Sequence, residues 1–226
     1  LETIEQNIRS ISTTKLFLKL AALAMEIGRR FDAATSEVLM ITPYFVPGKA
    51  GVKIIGDMLD RGVRVIVVTN SLASTNHVAV HSGYARYRKQ LLEMGAELYE
   101  IKADAVSQAA DGVAAAESLT LHSKVTIIDR ATILVGSLNF DPRSIEINTE
   151  MGLFIESSDA GAALFDIVAD GLTQVTYRVS VDDSGKLQWQ FAGDEDAPIL
   201  DAEPLTSWTR RSMARFYGIL PIEKQL

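Results

Sequence analysis

Residues 121–144, LHSKVTIIDRATILVGSLNFDPRS, contain two short apolar runs separated by a tight polar turn. The runs at 121–128 and 131–136 are rich in β-branched residues, as neighbouring strands of a sheet usually are. A third run, TEMGLFIES at 149–157, has the same character. We therefore expect three consecutive strands here, at the centre of a β-sheet.

The sequence before this stretch alternates between strand and helix patterns. EVLMIT and VRVIVVT are short β-branched runs separated by the helical pattern AGVKIIGDMLDRG, which is typical of a parallel βαβ unit. A further helix pattern, HSGYARYRKQLLEMG, leads to the strand pattern ELYEI, and TTKLFLKLAALAMEIGRRF has the apolar spacing of an outer helix. The predicted fold class is therefore α/β, with a mixed β-sheet flanked by helices.

The character of the chain changes near residue 171. TQVTYRVSVDDSGKLQWQFAG contains two alternating runs around Asp-Asp-Ser-Gly, which predicts a β-hairpin. We interpret residues 171–226 as a C-terminal hairpin and helix appendage on a domain of residues 1–170. The ending SWTRRSMARFYGILPIEKQL mixes aromatic residues with arginines, which suits either a packed helix or a helix at a membrane interface.

Residues 103–118, ADAVSQAADGVAAAES, are small or polar and show no apolar face. This composition predicts a mobile loop, with a short helix as the alternative. Mobile loops beside a site often act as lids, and this one directly precedes the stretch that begins at Leu121.

The composition is that of an ordinary globular chain, with 226 residues, 47% hydrophobic and 23% charged. This is enough for one sizeable core or two small ones. The net charge of −7 argues against a nucleic-acid partner, because such domains usually carry a basic excess. The lack of cysteine fits a reducing compartment. We see no membrane span or secretory signal, and because the chain starts with Leu1 we expect it to be part of a longer protein.

His122 and Lys124 are the strongest candidates for chemistry, because alternate residues of a strand project from the same face. A neutral imidazole can attack phosphorus or move a proton, while a nearby lysine neutralises phosphate oxygens as charge builds up. Neither task needs a metal, and no cofactor is expected. Ser137 and Asn139, with backbone amides freed by Gly136, are further candidate donors to a phosphate.

Asp129 and the other two histidines receive different interpretations. Asp129 has the opposite parity to His122 and falls at the end of its strand, so we expect it to fasten the turn. His77 and His81 are four residues apart and could share a helix face as metal ligands. No acidic or cysteine partner lies near them in the sequence, so helix capping and lining of the cleft mouth are the favoured roles.

The spacing H-x-K-x-x-x-x-D, which ends at Asp129, followed by G-S-x-N, resembles the catalytic motif of the phospholipase D superfamily. More narrowly, ITPYFVP, LHSK, GSLNFDPRS and NTEMGLFIES resemble the second half of bacterial cardiolipin synthases, with most similarity to the cardiolipin synthase C group. The resemblance covers nearly the whole chain. It implies the α-β-α sandwich of a phospholipase D half-domain for residues 1–170.

In that superfamily two such motifs meet, one histidine forming a phosphohistidine and the other acting as general acid and base. This sequence holds one motif, so the resemblance implies a partner, either an N-terminal half of the same protein with the first motif or a second copy of the chain. It places His122 and Lys124 at the phosphate, with His122 as general acid and base. It also implies Ser137 and Asn139 as phosphate donors and Glu150 as the acceptor that fixes the histidine tautomer.

The implied activity is a phosphatidyltransferase that makes cardiolipin from phosphatidylglycerol and a second phospholipid, peripherally at the bacterial cytoplasmic membrane. The alternatives are a hydrolase of the superfamily, either a phospholipase D or a nuclease working as a homodimer, and a non-catalytic module. We expect His122, Lys124, Asn139 and Glu150 to converge at the edge of the sheet while Asp129 points elsewhere. The surface around GSLNF should form an open apolar shelf.

Overall fold

The computed structural model of the chain describes residues 19–105 and 119–226. The predicted mobile loop at 103–118 lies outside the described residues beyond Ala105, and so does the start of the first predicted helix. Within the described ranges, no helix is long and apolar enough to cross a membrane.

The described elements include the predicted helices and strands in the predicted order, and also two helices that the sequence analysis did not identify, Pro142–Glu146 and Ser158–Val175. They are α1 Lys19–Ala33, β1 Glu37–Ile41, α2 Gly48–Asp60, β2 Arg64–Asn70, α3 Val78–Glu93, β3 Glu97–Ile101, β4 Val125–Ile128, β5 Thr132–Gly136, α4 Pro142–Glu146, β6 Gly152–Glu156, α5 Ser158–Val175, β7 Thr176–Val181, β8 Leu187–Phe191 and α6 Trp208–Ile219, with a final 3₁₀ turn at Glu223–Gln225.

The strands form one eight-stranded sheet in the order β6-β5-β4-β1-β2-β3-β7-β8. Strands β1, β2 and β3 run parallel, and every other neighbouring pair is antiparallel. This confirms the predicted α/β class with a mixed sheet. The expectation that all three strands of the 121–157 region lie at the centre is wrong, because β4 pairs antiparallel with β1, β5 with β4, and β6 with β5. The chain therefore steps outward from β1 and leaves β6 at the edge.

Helices cover both faces of the sheet, because its central strands are apolar on both sides. On one face α1, α2 and α3 bury residues such as Phe31, Ile55 and Leu91 against Val38 and Val65. On the other face, α5 packs Phe165 against a smaller cluster, which consists of Leu39, Ile41, Ile66, Val68, Ile101 and Ile127. The sheet is thus a rigid platform whose ends carry the polar segments.

The C-terminal region extends this platform. Strands β7 and β8 form the predicted hairpin, and β7 pairs with β3. The hairpin turn is held by the Asp182 carboxylate, which accepts from the amides of Ser184 and Lys186, both at 2.8 Å. Helix α6 packs on α3. The division of the chain near residue 170 stays a prediction.

A buried polar cluster joins the C-terminal region to the rest of the fold. The Arg88 guanidinium donates to Glu100 at 2.8 Å and to Glu203 at 2.7 Å. The Trp189 indole and the Tyr84 hydroxyl also donate to Glu100, at 2.9 and 3.1 Å. Burial opposes the charge of Arg88, but the two carboxylates raise its pKa above the ordinary value. Arg88 therefore stays charged, and the cluster ties α3 and β3 to β8 and the segment before α6.

Candidate active site

The candidate site lies where β1 and β2 end and β4 begins. The segment before β4 is held by a side chain, since Asn70 accepts from the Leu121 amide at 2.9 Å and donates to the Leu121 carbonyl at 3.1 Å. Strand β4 starts at Val125. His122 and Lys124 therefore precede the strand instead of lying on it, which differs from the prediction that the strand includes them.

His122 and Lys124 are neighbours with different surroundings. The His122 side chain is exposed and makes no hydrogen bond to any residue within 19–105 and 119–226. Lys124 is half-buried, and its ammonium group donates to the His122 carbonyl at 2.9 Å. Partial burial lowers the pKa of Lys124, although the charges of Glu150 and Asp141 work in the opposite direction. An imidazole with no described hydrogen bond thus lies beside a lysine whose positive charge is favoured by two carboxylates.

Ser137 and Glu150 form a bonded pair next to Lys124. The Ser137 hydroxyl donates to the buried Glu150 carboxylate, which also accepts from the side-chain amide of Asn148 at 3.3 Å. The Ser137 oxygen in turn accepts from the Met151 amide at 3.0 Å. Glu150 lies two residues before β6, and its described hydrogen bonds go to Ser137 and Asn148 instead of the His122 imidazole. The expected contact between Glu150 and His122 is therefore not among the described hydrogen bonds.

Gly136 is required by close packing between β5 and β6. A Cβ at this position would lie 2.2 Å from the Met151 carbonyl oxygen, so only glycine fits without a shift of the backbone. The Gly136 amide donates to the Lys124 carbonyl at 3.3 Å, and the Ser137 amide donates to the Met151 carbonyl at 2.9 Å. The prediction that Gly136 frees backbone amides for a phosphate is wrong for these two groups, because the sheet edge already uses them.

Asn139 belongs to a second polar group that includes Asp141, a residue missed by the sequence analysis. The Asn139 side-chain amide donates to the Ser144 hydroxyl at 3.4 Å, while its buried side-chain oxygen has no partner among the described residues. Asp141 caps α4 by accepting from the Ser144 amide at 2.7 Å, and burial raises its pKa. The spacing Asp-Pro-x-Ser is a helix-start signal that could have identified this carboxylate.

Asp129 lies away from this group, in the tight turn between β4 and β5. Its carboxylate accepts from the Thr35, Ser36 and Glu37 amides at 2.9, 2.8 and 3.0 Å and from the hydroxyls of Thr35 and Ser36. Burial alone would raise the pKa of Asp129, but these hydrogen bonds lower it below the ordinary value. The carboxylate fastens the turn to the start of β1, as the parity argument predicted.

Replacing Asp129 with alanine should lower the free energy of unfolding by about 2 kcal/mol, because several amide and hydroxyl donors lose a charged acceptor. Urea denaturation monitored by circular dichroism measures this. Asp166→Ala is the matched control, since Asp166 pairs with the adjacent Arg130 at the surface and its loss should cost about 0.5 kcal/mol or less. If Asp129→Ala leaves stability unchanged and removes activity, the purely structural role is wrong.

The remaining histidines occupy separate environments. His77 is exposed at the start of α3, where its side chain makes no capping hydrogen bond, and its ring packs edge-on against Tyr44 with centroids 5.5 Å apart. His81 is buried, with Nε2 3.5 Å from the Glu203 carboxylate. The predicted helix-capping role is therefore not observed. The described part of the chain contains no group of three or more His, Cys, Asp or Glu residues able to hold a metal ion.

An apolar cleft of about 380 Å³ lies between α1 and α2, directly behind the GSLNF segment. Ile27, Phe31 and Ile55 line it from the helices. Leu138 and Phe140, which alternate with Ser137 and Asn139 in the sequence, line it from the side of the site. The same short segment thus contributes polar side chains to the candidate site and apolar side chains to the cleft.

The fold and the site define an α/β domain that presents a histidine, a lysine and a serine–glutamate pair at one end of a mixed sheet. The family profile described as "Cardiolipin synthase, PLD-like domain" matches residues 27–168. Because this match covers more than half of the chain, the chain belongs to the phospholipase D-like domain family of cardiolipin synthases.

Individual relatives agree with this family. The chain is 37% identical over 201 residues to cardiolipin synthase C of Escherichia coli (strain K12), an alignment that covers 86% of this chain and 42% of that protein. The fold is similar to that of Nuc from Salmonella typhimurium, a phospholipase D family member, with a TM-score of 0.53, 19% identity and coverage of 69% and 90% of the two chains. Phosphatidylserine synthase from Haemophilus influenzae gives a TM-score of 0.53 at 18% identity and coverage of 69% and 36%. The chain thus spans less than half the length of the cardiolipin synthase C that it matches.

Proposed function

We propose that this chain supplies one half of the active site of a phosphatidyltransferase that makes cardiolipin from phosphatidylglycerol and a second phospholipid. The observation that carries the proposal is the exposed His122 imidazole, which has no hydrogen-bond partner among the described residues, beside the half-buried Lys124. This pair can exchange a proton and hold phosphate charge at one place. The apolar cleft behind GSLNF supports a substrate with acyl chains over a nucleic acid, and the net charge of −7 has the same implication.

His122 is the proposed general acid and base. In the first step it protonates the leaving alkoxide while a second histidine, from the other half of the site, attacks phosphorus and forms a phosphohistidine. In the second step the neutral His122 takes the proton from the incoming lipid hydroxyl, which displaces the second histidine. Lys124 stabilises the charge on the phosphate oxygens throughout.

The other site residues have supporting roles in this proposal. Asn139 donates to the phosphate, and Ser137 can do so once its hydroxyl turns away from Glu150. Glu150 would accept from the second nitrogen of His122 when the two halves close around a substrate, because catalytic hydrogen bonds often tighten only in the complex. Asp129 contributes to the fold, not to the chemistry.

The second half of the site is proposed to dock on an open apolar surface near His122. We name this surface the β5–β6 patch, and it consists of Val135, Met151, Leu153 and Ile155, all exposed. Large exposed apolar patches usually mark interaction sites. Ile145 and Ile147, which follow GSLNF in the sequence, are also exposed, and this supports the predicted apolar shelf around that segment. The preferred partner is an N-terminal half of the same protein, since the chain aligns with 42% of cardiolipin synthase C.

A homodimeric phosphodiesterase is the second candidate. It is favoured by one observation, that the chain matches 90% of the length of Nuc, whereas it matches 36% of phosphatidylserine synthase.

One experiment separates the candidates. A protein that carries both halves of the site is incubated with phosphatidylglycerol vesicles, and the lipids are then identified by mass spectrometry. Cardiolipin supports the transferase, phosphatidic acid supports the hydrolase, and neither product supports a non-catalytic module.

The chain alone should self-associate through the β5–β6 patch, because no other half covers it. Replacing the exposed Leu153 with glutamate should weaken this association at least about a hundredfold, since a charge would be buried in an apolar interface. Sedimentation velocity over a concentration series measures it. Ile167→Glu on α5 is the matched control, because Ile167 is 68% exposed and Leu153 is 62% exposed. Equal association of wild type and Leu153→Glu would contradict the assigned surface.

A further inference from the structure

The outward face of α6 carries large apolar side chains that the described fold leaves in solvent. Trp208 is 71% exposed, Phe216 is 57% exposed and Ile219 is 79% exposed. Met213, at 44%, continues the same face. At 3.6 residues per turn these four residues fall within about 140° of the helix circumference, so they form a single broad apolar stripe. We name it the α6 stripe.

This exposure belongs to a firmly held helix. On the inward side, Arg210 donates to the carbonyls of Leu72 and Thr75 at 2.6 and 2.5 Å. Near the other end, Arg86 of α3 donates to the carbonyls of Gly218 and Leu220 at 2.7 and 2.6 Å. Charged donors thus fix the first turn of α6 to the loop after β2 and its last turn to α3. The α6 stripe is presented to solvent by the packing and does not result from a frayed end.

The position of α6 links the stripe to the candidate site. Arg210 binds the loop after β2, and the same loop accepts at the Ser74 carbonyl from the Thr120 hydroxyl at 2.8 Å. Thr120 lies two residues before His122. The beginning of α6 therefore lies at the same edge of the sheet as the candidate site, so a surface that binds α6 would also approach His122.

The charge on α6 indicates the kind of partner. The helix contains three arginines and no acidic residue, although the whole chain has a net charge of −7. Arg215 is exposed beside the stripe and forms no ion pair within the described ranges. A stripe of Trp, Phe and Ile bordered by free cationic charge is typical of a helix that lies in a bilayer interface.

We propose that the α6 stripe is a docking surface for an anionic phospholipid bilayer. Trp208, Phe216 and Ile219 enter the boundary between headgroups and acyl chains, while Arg215 meets the lipid phosphates. The inference rests on the proposed function only for the choice of phosphatidylglycerol as the lipid. The sequence left open whether this helix packs on the fold or lies at a membrane interface. In this proposal it does both, because the packed face and the interfacial face of α6 are opposite sides of one helix.

Co-sedimentation of the chain with sonicated vesicles tests the proposal. The chain should bind phosphatidylglycerol vesicles at least about tenfold more tightly than phosphatidylcholine vesicles, and high salt should weaken the binding. Trp208→Ser combined with Phe216→Ser should reduce binding at least about tenfold. Met25→Ser, at a residue 73% exposed on α1, is the control and should leave binding unchanged. The tryptophan emission should shift to the blue with vesicles, and the shift should come from Trp208 because Trp189 is buried.

Unchanged vesicle binding by the double variant would overturn the proposal. Loss of self-association in that variant without loss of vesicle binding would also overturn it, because the stripe would then bind a second copy of the chain. Assays of vesicle binding and of lipid products, made on a protein that carries both halves of the site, test the docking surface and the chemistry separately. Vesicle binding without lipid products leaves the docking surface standing and removes the proposed function. If the double variant forms lipid products on vesicles at the wild-type rate, the proposed function stands and the docking surface is removed.

Discussion

Replacing His122 with alanine should lower the rate of cardiolipin formation by about a thousandfold in a protein that carries both halves of the site. The described structure provides no substitute for the lost imidazole. Lys124 is a cation, while Glu150 and Asp141 are carboxylates already bonded to Ser137 and Ser144. The measurement is the initial rate with phosphatidylglycerol in detergent micelles, which removes any contribution from membrane docking.

His77→Ala is the matched control for this experiment. His77 is also an exposed histidine near the same edge, but its ring only packs against Tyr44. Its replacement should change the rate less than about fivefold and leave thermal unfolding unchanged. A rate for His122→Ala within tenfold of wild type would remove His122 from the chemistry, and the proposed function would lose the observation that carries it.

Replacing Glu100 with alanine should lower the free energy of unfolding by about 3–5 kcal/mol, because it breaks a buried ion pair and leaves the Arg88 guanidinium with one of its two carboxylates. Glu100 is completely buried and accepts from Tyr84, Arg88 and Trp189. Tyr84 and Trp189 lose this acceptor, and Arg88 keeps only Glu203. Urea denaturation gives the free energy, and hydrogen exchange should show the β7–β8 hairpin losing protection first, since Trp189 lies on β8.

Asp57→Ala is the control for the stability experiment. Asp57 pairs with Lys53 on the surface of α2, and the loss of such an exposed pair should cost about 0.5 kcal/mol or less. Replacing Arg88 together with both of its carboxylate partners, as Arg88→Met with Glu100→Leu and Glu203→Gln, should recover part of the lost stability, because these three buried charges are removed together. A loss below about 1 kcal/mol for Glu100→Ala would show that the cluster does not hold the C-terminal region in place.

The sequence by itself determined the local elements and the class of the fold. Strands β1 to β3 and the helices between them follow from periods of about two and 3.6 residues, which depend on neighbours along the chain. The β7–β8 hairpin follows from Asp-Asp-Ser-Gly, because a turn is also a local feature. The motif around His122 indicated the family for the same reason, since its residues are close together in the sequence.

Only the tertiary structure decided how these elements meet. Strand β6 lies at the edge, and β4 begins after Lys124, because strand pairing depends on which neighbour is available in space. The Ser137–Glu150 pair is produced by packing at the β5–β6 end. Glu100 and Trp189 are 89 positions apart in the chain, and no local period connects them. The exposure of the α6 stripe is likewise set by the arginines that hold its other face, because burial is a property of the assembled fold.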